Sequence, residues 1–272
     1  MKKISTVLVL LLITSALFAA GDISVRLGGA FSLVAAKNPH SATNKPTDVD
    51  GNKLADYDLT MVNCAGFGFD TGFVFGLSSD YNMYLDFSMT FPAKVSVGDY
   101  ESTVEDLKDE YQFFKEGFEI EEYSSVYGSS FLTNLEIHVG FTKKINLGES
   151  PINLNIGGGL GYRRIKEGVK MTMRKDDLFY CFDCFETIAH VSLDLHADVA
   201  YKFNEKFAVC AVLMPGVSFY SASKFYTQAN LNPIPSTEYY DGDNSGMKPK
   251  YENSGFAAGF TLATRIGVSY TF

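Results

Sequence analysis

The chain has no tryptophan, four histidines and four cysteines in 272 residues. Tyrosine (16) and phenylalanine (23) must therefore supply every large aromatic contact. After the first 20 residues no unbroken apolar run reaches the roughly 20 residues a membrane-spanning helix needs, which excludes a helical membrane protein. Positive charge is scarce: 23 Lys and Arg stand against 32 Asp and Glu, a net charge of −9. Removing the two charges of Lys2 and Lys3 leaves −11. Such a surface repels phosphate backbones, so no nucleic-acid partner is expected.

The one concentrated apolar run lies at the start. Lys2 and Lys3 precede Val7 to Leu12, and Leu17-Phe18-Ala19-Ala20 ends in small residues. This order of charge, apolar core and small-residue exit is that of a secretory signal peptide over 1–20, with cleavage expected after Ala19 or Ala20. No cysteine follows the apolar core, so no lipoprotein anchor is expected. Residues 21–272 then form the exported protein.

In that mature part, apolar residues recur at every second position. Phe256, Ala258, Phe260, Leu262, Thr264, Ile266, Val268, Tyr270 and Phe272 share one parity; Gly259, Thr261, Ala263, Arg265, Gly267, Ser269 and Thr271 share the other. A strand sends alternate side chains to opposite faces, so this segment has one greasy face and one small, polar face. Seven earlier segments repeat the pattern. In one, Phe67, Phe69, Phe73 and Phe75 oppose Gly66, Gly68, Asp70, Gly72 and Gly76; in another, Val191, Leu193, Leu195 and Val199 oppose His190, Ser192, Asp194, His196 and Asp198. A mean hydropathy near zero is what such alternation averages to.

Connections alternate between short and long. Leu77 to Tyr81, Lys143 to Pro151 and Asn204-Glu205 are short, whereas 35–58, 93–130, 165–187 and 221–254 are long and polar. Eight strands bring both ends of the sheet to one side, where the first and last can pair and close it. In lipid an open edge has no hydrogen-bond partners, so closure is required. The expected fold is all-β: a closed antiparallel up-and-down transmembrane barrel of eight strands, or ten if 93–130 adds a hairpin. A soluble barrel would point the apolar parity inward, but an eight-stranded interior is too narrow for that phenylalanine-rich face.

Signal peptide, strand count, loop alternation and the terminal Phe272 together resemble the small eight-stranded outer-membrane barrels of bacteria, the OmpA-transmembrane, OmpX and OmpW type. No residue motif selects one member. The resemblance implies residence in the bacterial outer membrane, contact with its lipid, and insertion by machinery that reads the last strand ending at Phe272. It also implies a structural or surface-recognition role, or limited passage of small solutes, without enzymatic activity. OmpW-type barrels are implied to pass small hydrophobic compounds sideways into the membrane. Small hydrophobic or cationic solutes, or an extracellular ligand at the loops, are the partners expected.

Several residues are candidates for chemistry. The inward parity carries Arg26, Asp70, Asp86, Glu136, His138, Arg163, His190, Asp194, His196, Asp198 and Arg265. Buried charges must be paired, so these are expected to form a polar network that plugs the lumen. The alternative is a thin cation-preferring conduit or a gate titrated by His190 and His196. His190-Val191-Ser192 resembles the His-x-Ser pair of an outer-membrane lipid A deacylase, which makes a lipid-modifying enzyme the competing function. That family's pair faces lipid, and here the parity points inward. Cys181-Phe182-Asp183-Cys184 is expected at the tip of the third long loop as a local disulfide, suited to an oxidising compartment. A second CxxC is lacking, so no metal or cofactor is expected. Cys64 and Cys210 fit small lumen fillers. In the second long loop, Val104, Leu107, Tyr111, Phe114 and Phe118 recur at helical spacing, which predicts a short amphipathic helix on the barrel mouth.

Overall fold

Alternation of this kind builds a closed sheet. In the computed structural model, residues 22–37, 61–97, 100–117, 125–145, 147–175, 178–235 and 251–272 are described. The signal-peptide segment and parts of the loops 35–58, 93–130 and 221–254 lie outside them. The elements are β1 (Ile23–Lys37), β2 (Met61–Gly76), β3 (Tyr81–Val97), β4 (Tyr100–Thr103), α1 (Val104–Gly117), β5 (Ser125–Ile145), β6 (Ile152–Lys175), β7 (Leu178–Lys202), β8 (Phe207–Pro235) and β9 (Tyr251–Thr271).

Every wall strand pairs antiparallel with its neighbours, and β1 closes on β9 from Ser24↔Thr271 to Ala36↔Gly259. The wall has eight strands, because β4 is a four-residue appendage on the outer end of β3 rather than half of a wall hairpin. The ten-stranded alternative is thereby corrected. The segment after β4 turns helical because Thr103 and Asp106 cap it. The Thr103 backbone N–H and hydroxyl donate to the Asp106 carboxylate at 2.8 and 2.6 Å, and the Asp106 N–H donates back to Thr103 Oγ1 at 3.0 Å.

The short connections share one end. Ser78 Oγ accepts from the N–H groups of Asp80 and Tyr81, and Asn204 Oδ1 accepts from those of Lys206 and Phe207, fixing two tight turns. Gly148 takes φ of 72° in the third, a conformation that favours glycine. Both barrel termini meet here too, where Phe272 N–H donates to Ile23 O at 2.9 Å.

Polarity runs as the pattern requires. Phe67, Phe69 and Phe256 are 75%, 72% and 86% exposed on the outer surface, while the charged parity is buried inside. An apolar exterior of this extent needs lipid against it. Near the turn end, Tyr201 with Phe203, Phe207 with Tyr270, and Tyr270 with Phe272 pack edge to face, an aromatic girdle built without tryptophan.

The strands run further than the sequence pattern suggested. β6, β7 and β8 have 24, 25 and 29 residues, far beyond the roughly 9–11 that cross a bilayer. The expected long loop 165–187 is instead a continued β6–β7 hairpin, paired from Ile165↔Ile188 to Lys175↔Leu178. Likewise β8 continues through the first part of the expected loop 221–254 to Pro235. In this extension the faces exchange character. Ile165, Val169, Met171 and Met173 are buried inside, with Glu167 as the one acid on that face of β6, and Lys166, Lys170 and Arg174 alternate to the outside. Above the lipid the wall obeys the rule of a soluble barrel.

Candidate functional site

The interior is layered along the barrel axis. At the turn end a polar vestibule of about 480 Å3 is bordered by Ser24, Arg26, Asn82, Asn155, Asp198 and Lys202, among others. Its floor is an ion-paired set: Arg26 Nε donates to Asp70 at 2.9 Å and Arg26 Nη2 to Asp86 at 2.8 Å. Asp198 accepts from Asn155 at 3.1 Å. The His196 ring lies 4.0 Å from that of Tyr84, centroid to centroid.

Above this floor Glu136 of β5 is the hub. Its carboxylate accepts from Arg163 Nε at 3.2 Å, Arg265 Nη2 at 2.5 Å, Ser88 Oγ at 3.2 Å and the hydroxyl of Ser32. Arg163 also reaches Ser192 Oγ and Asp194, and His138 Nδ1 lies 2.7 Å from Asp194 Oδ2. Glu136, His138 and Arg163 are fully buried. Charges at such depth are tolerable only when paired and hydrogen-bonded, as Glu136 and Arg163 are. Glycines make the space. A Cβ on Gly161 would fall 2.1 Å from Asp194 Oδ2, and one on Gly72 would fall 2.2 Å from Asp86 Oδ1.

All eleven charged or histidine side chains expected in the lumen are buried there. Nine of them take part in the ion pairs and hydrogen bonds just described. His190 and His196 stand apart, and neither ring nitrogen of His190 has a hydrogen-bond partner among the described residues. Ser192 is engaged by Asp194 and Arg163 rather than by His190, so the His-x-Ser pair is not a hydroxyl beside its base.

Cys181 and Cys184 do not sit at a loop tip. Both lie in β7, opposite Thr172 and Val169 of β6. Three steps along an extended strand separate Cα atoms by about 10 Å. A disulfide spans at most about 7 Å between Cα atoms, so the expected local bridge does not fit this strand. Cys64 and Cys210 are buried inside at different levels, Cys64 in the outer apolar layer and Cys210 beside the vestibule.

The outer layer was not anticipated from the sequence. Val34, Val62, Val95, Leu107, Leu132, Ile165, Val169 and Ile188, from six wall strands and α1, form one apolar cluster directly beyond the charged plug. Helix α1 contributes Leu107 to this cluster, and Tyr111 packs against it and against Gly128 of β5, where a Cβ would fall 1.9 Å from its ring. Val104 is exposed; the side chain of Phe114, and Phe118 altogether, lie outside the described residues. A signal was present: inward positions turn from Arg163 to Ile165, Val169 and Met171 within one strand.

At the same level the wall comes apart. β3 pairs with β5 from Tyr81↔Lys143 to Thr90↔Asn134, and beyond that point no pairing joins them among the described residues. Outward of Thr90, β3 keeps its β2 partner, and on the side that β5 leaves it carries β4 from Lys94↔Thr103 to Val97↔Tyr100. There β5 pairs with β6 alone, so the seam lies between the β3–β4 pair and β5. Pro92, which has no N–H to give either neighbour, lies just past the last pair, opposite Gly66 at a register shift in β2–β3. Val95 of β3, Leu132 of β5 and Leu107 of α1 belong to the one apolar cluster inside the barrel at this level.

No family model matches the chain, and no curated protein matches it. Solved structures do. The outer membrane protein OprG from Pseudomonas aeruginosa aligns over 93% of this chain and 97% of its own, with 11% identity and a TM-score of 0.50. The fold is that of a small outer-membrane barrel. A major outer membrane protein from Thermus thermophilus covers 91% of this chain and 99% of its own, at 12% identity and a TM-score of 0.43. Ail, the attachment invasion locus protein of Yersinia pestis, covers 93% and 99%, at 16% identity and 0.34. At these identities the likeness concerns architecture, and function must come from the layers and the seam.

Proposed function

We propose that this chain is an integral protein of a bacterial outer membrane that lets small apolar solutes pass sideways from its outer chamber into the lipid, without catalysing a reaction. The observation that carries this reading is the coincidence of two changes at one level. Where the interior turns from charged to apolar, the β3–β5 ladder stops at Thr90↔Asn134. A solute entering from the loop end meets Val34, Val62, Leu132 and Ile165, gains contact with apolar surface, and finds the axial path shut by the Glu136 network. The remaining exit is lateral, through the seam between β5 and the β3–β4 pair, once α1 shifts. Expulsion of apolar surface from water favours each step, and no charged group has to leave its partner.

The lipid A deacylase alternative has less support, because Ser192 is committed to Arg163 and Asp194 inside the wall. The test is uptake of a small radiolabelled aliphatic or monoaromatic compound by Gram-negative cells expressing the chain. Phe91→Cys with Thr133→Cys, the first positions past the last β3–β5 pair, oxidised to a cross-link verified by mass spectrometry, should abolish the added uptake, and reductant should restore it. Uptake that the cross-link leaves unchanged would overturn the lateral route. Altered lipid A acylation in the same cells would overturn the non-enzymatic reading.

A further inference from the structure

Just beyond the lipid-facing belt, the outward face of β6 changes from Leu160 and Tyr162 to Arg164, Lys166 and, beyond Gly168, Lys170. In an acidic chain this run of cations is out of character. Arg164 and Lys170 act on Lys166 as like charges, and the nearby acid is Asp183, opposite Lys170 on β7. Glu167 belongs to the buried inward parity and does not face this row, whereas Asp183 shares the outward face opposite Lys170. Lys166 is held rather than left to swing. Its ammonium stands 4.3 Å from the Phe185 ring centroid and 4.9 Å from that of Phe131, and Phe185 stacks on Tyr226 at 4.6 Å. Gly168, at φ 152°, lets Phe185 lie across the strand, since a Cβ there would meet Phe185 Cβ at 2.4 Å. The result is a row of three cations, Lys166 held between aromatic rings, above an apolar wall at the height where lipid headgroups lie.

We infer that Arg164, Lys166 and Lys170 form a binding site for a phosphate-bearing headgroup of an outer-leaflet lipid, whose acyl chains lie against Leu160, Tyr162 and Leu193. The site supplies both halves of an amphiphile's chemistry: guanidinium and ammonium donors for phosphate, and outward apolar side chains directly below for the chains. The inference rests on the outer-membrane reading above.

The test uses the full exported chain in phosphatidylcholine nanodiscs doped with lipid A, or with lipid A stripped of its phosphates, followed by native mass spectrometry of retained lipid. The wild-type barrel should retain the phosphorylated form in preference to the stripped form. Arg164→Gln, Lys166→Gln and Lys170→Gln together should lower that retention roughly a hundredfold, because each cation at an anionic surface is worth about a factor of five. Lys143→Gln with Lys144→Gln, at the turn end, should leave it unchanged. A heat-dependent shift in gel mobility, kept by the triple variant, would show that its barrel is folded. Equal retention of both lipids, equal retention by the triple variant, or full displacement by inorganic phosphate at matched concentration would overturn the site. A chain that fails to enter nanodiscs at all would instead contradict the membrane reading.

Discussion

Glu136 shows how much a single side chain can hold. Two arginines, two serine hydroxyls and an asparagine converge on one fully buried carboxylate. Glu136→Gln keeps the shape but removes the negative charge, leaving Arg163 and Arg265 short of a counter-ion. Breaking a buried pair this way costs roughly 3–5 kcal/mol, so urea unfolding from detergent should move to clearly lower midpoints with little change in slope. Gly161→Ala should hurt for a different reason, since its methyl would enter the space of Asp194 Oδ2. The expected readout is poor refolding yield, whereas Gly148→Ala in the turn, where a Cβ meets open space, should cost only the strain of a left-handed alanine, about 1 kcal/mol. Comparison of the two refolding yields by heat-modified mobility checks this ordering.

At the scale of elements, α1 is the piece whose stability can be tuned. The two hydrogen bonds from Thr103 hold the Asp106 carboxyl below its ordinary value. A depressed folded pKa means the cap is fully present above the unfolded value of about 3.9 and is lost as pH falls through the lower folded value. Amide exchange in the first turn of α1 should therefore be flat from pH 7 to about 4.5, after correction for intrinsic rates, and accelerate below that. Loosening centred above about pH 5 would contradict the assignment. Leu107→Ala should free α1 from the chamber, at a cost of roughly 2–5 kcal/mol, and raise both its amide exchange and the uptake of apolar solute. The elements also show where sequence reading stops. Parity alone identified Arg26, Glu136, Arg163 and Arg265 as inward, because an alternation with phenylalanine on one face and glycine on the other has a single steric solution in a narrow barrel. The same parity continued through Ile165, Glu167, Val169 and Met171, but with the cations Arg164, Lys166 and Lys170 now outside. An apolar-out template ends the strand there, and so takes a paired hairpin for a loop and Cys181 and Cys184 for neighbours across a turn. The seam was hidden for another reason: an unpaired edge depends on which strand the chain returns to after α1, and local sequence does not carry that.

For the whole molecule, the physics is set by three solvents along one axis. Against lipid the wall is apolar outside and charged within. Beyond the headgroups it carries Arg164, Lys166 and Lys170 outside and an apolar cluster within, with Glu167 and Glu186 paired in register on the inner face. The Glu136 network closes the interior below that second layer. An ion moving along the axis would have to part Arg163 or Arg265 from Glu136 in a site that excludes water, whereas an apolar solute in the outer layer never reaches those pairs. The most direct test is planar-bilayer recording on the purified, folded barrel at neutral pH. The closed network predicts no steady conductance of porin size in the wild-type protein, while Glu136→Ala with Arg163→Ala and Arg265→Ala, which empties the plug, yields stable ion-conducting steps if it folds. Large, stable steps from the wild-type barrel would contradict the closed axial path and, with it, the assignment of passage to the β3–β5 seam.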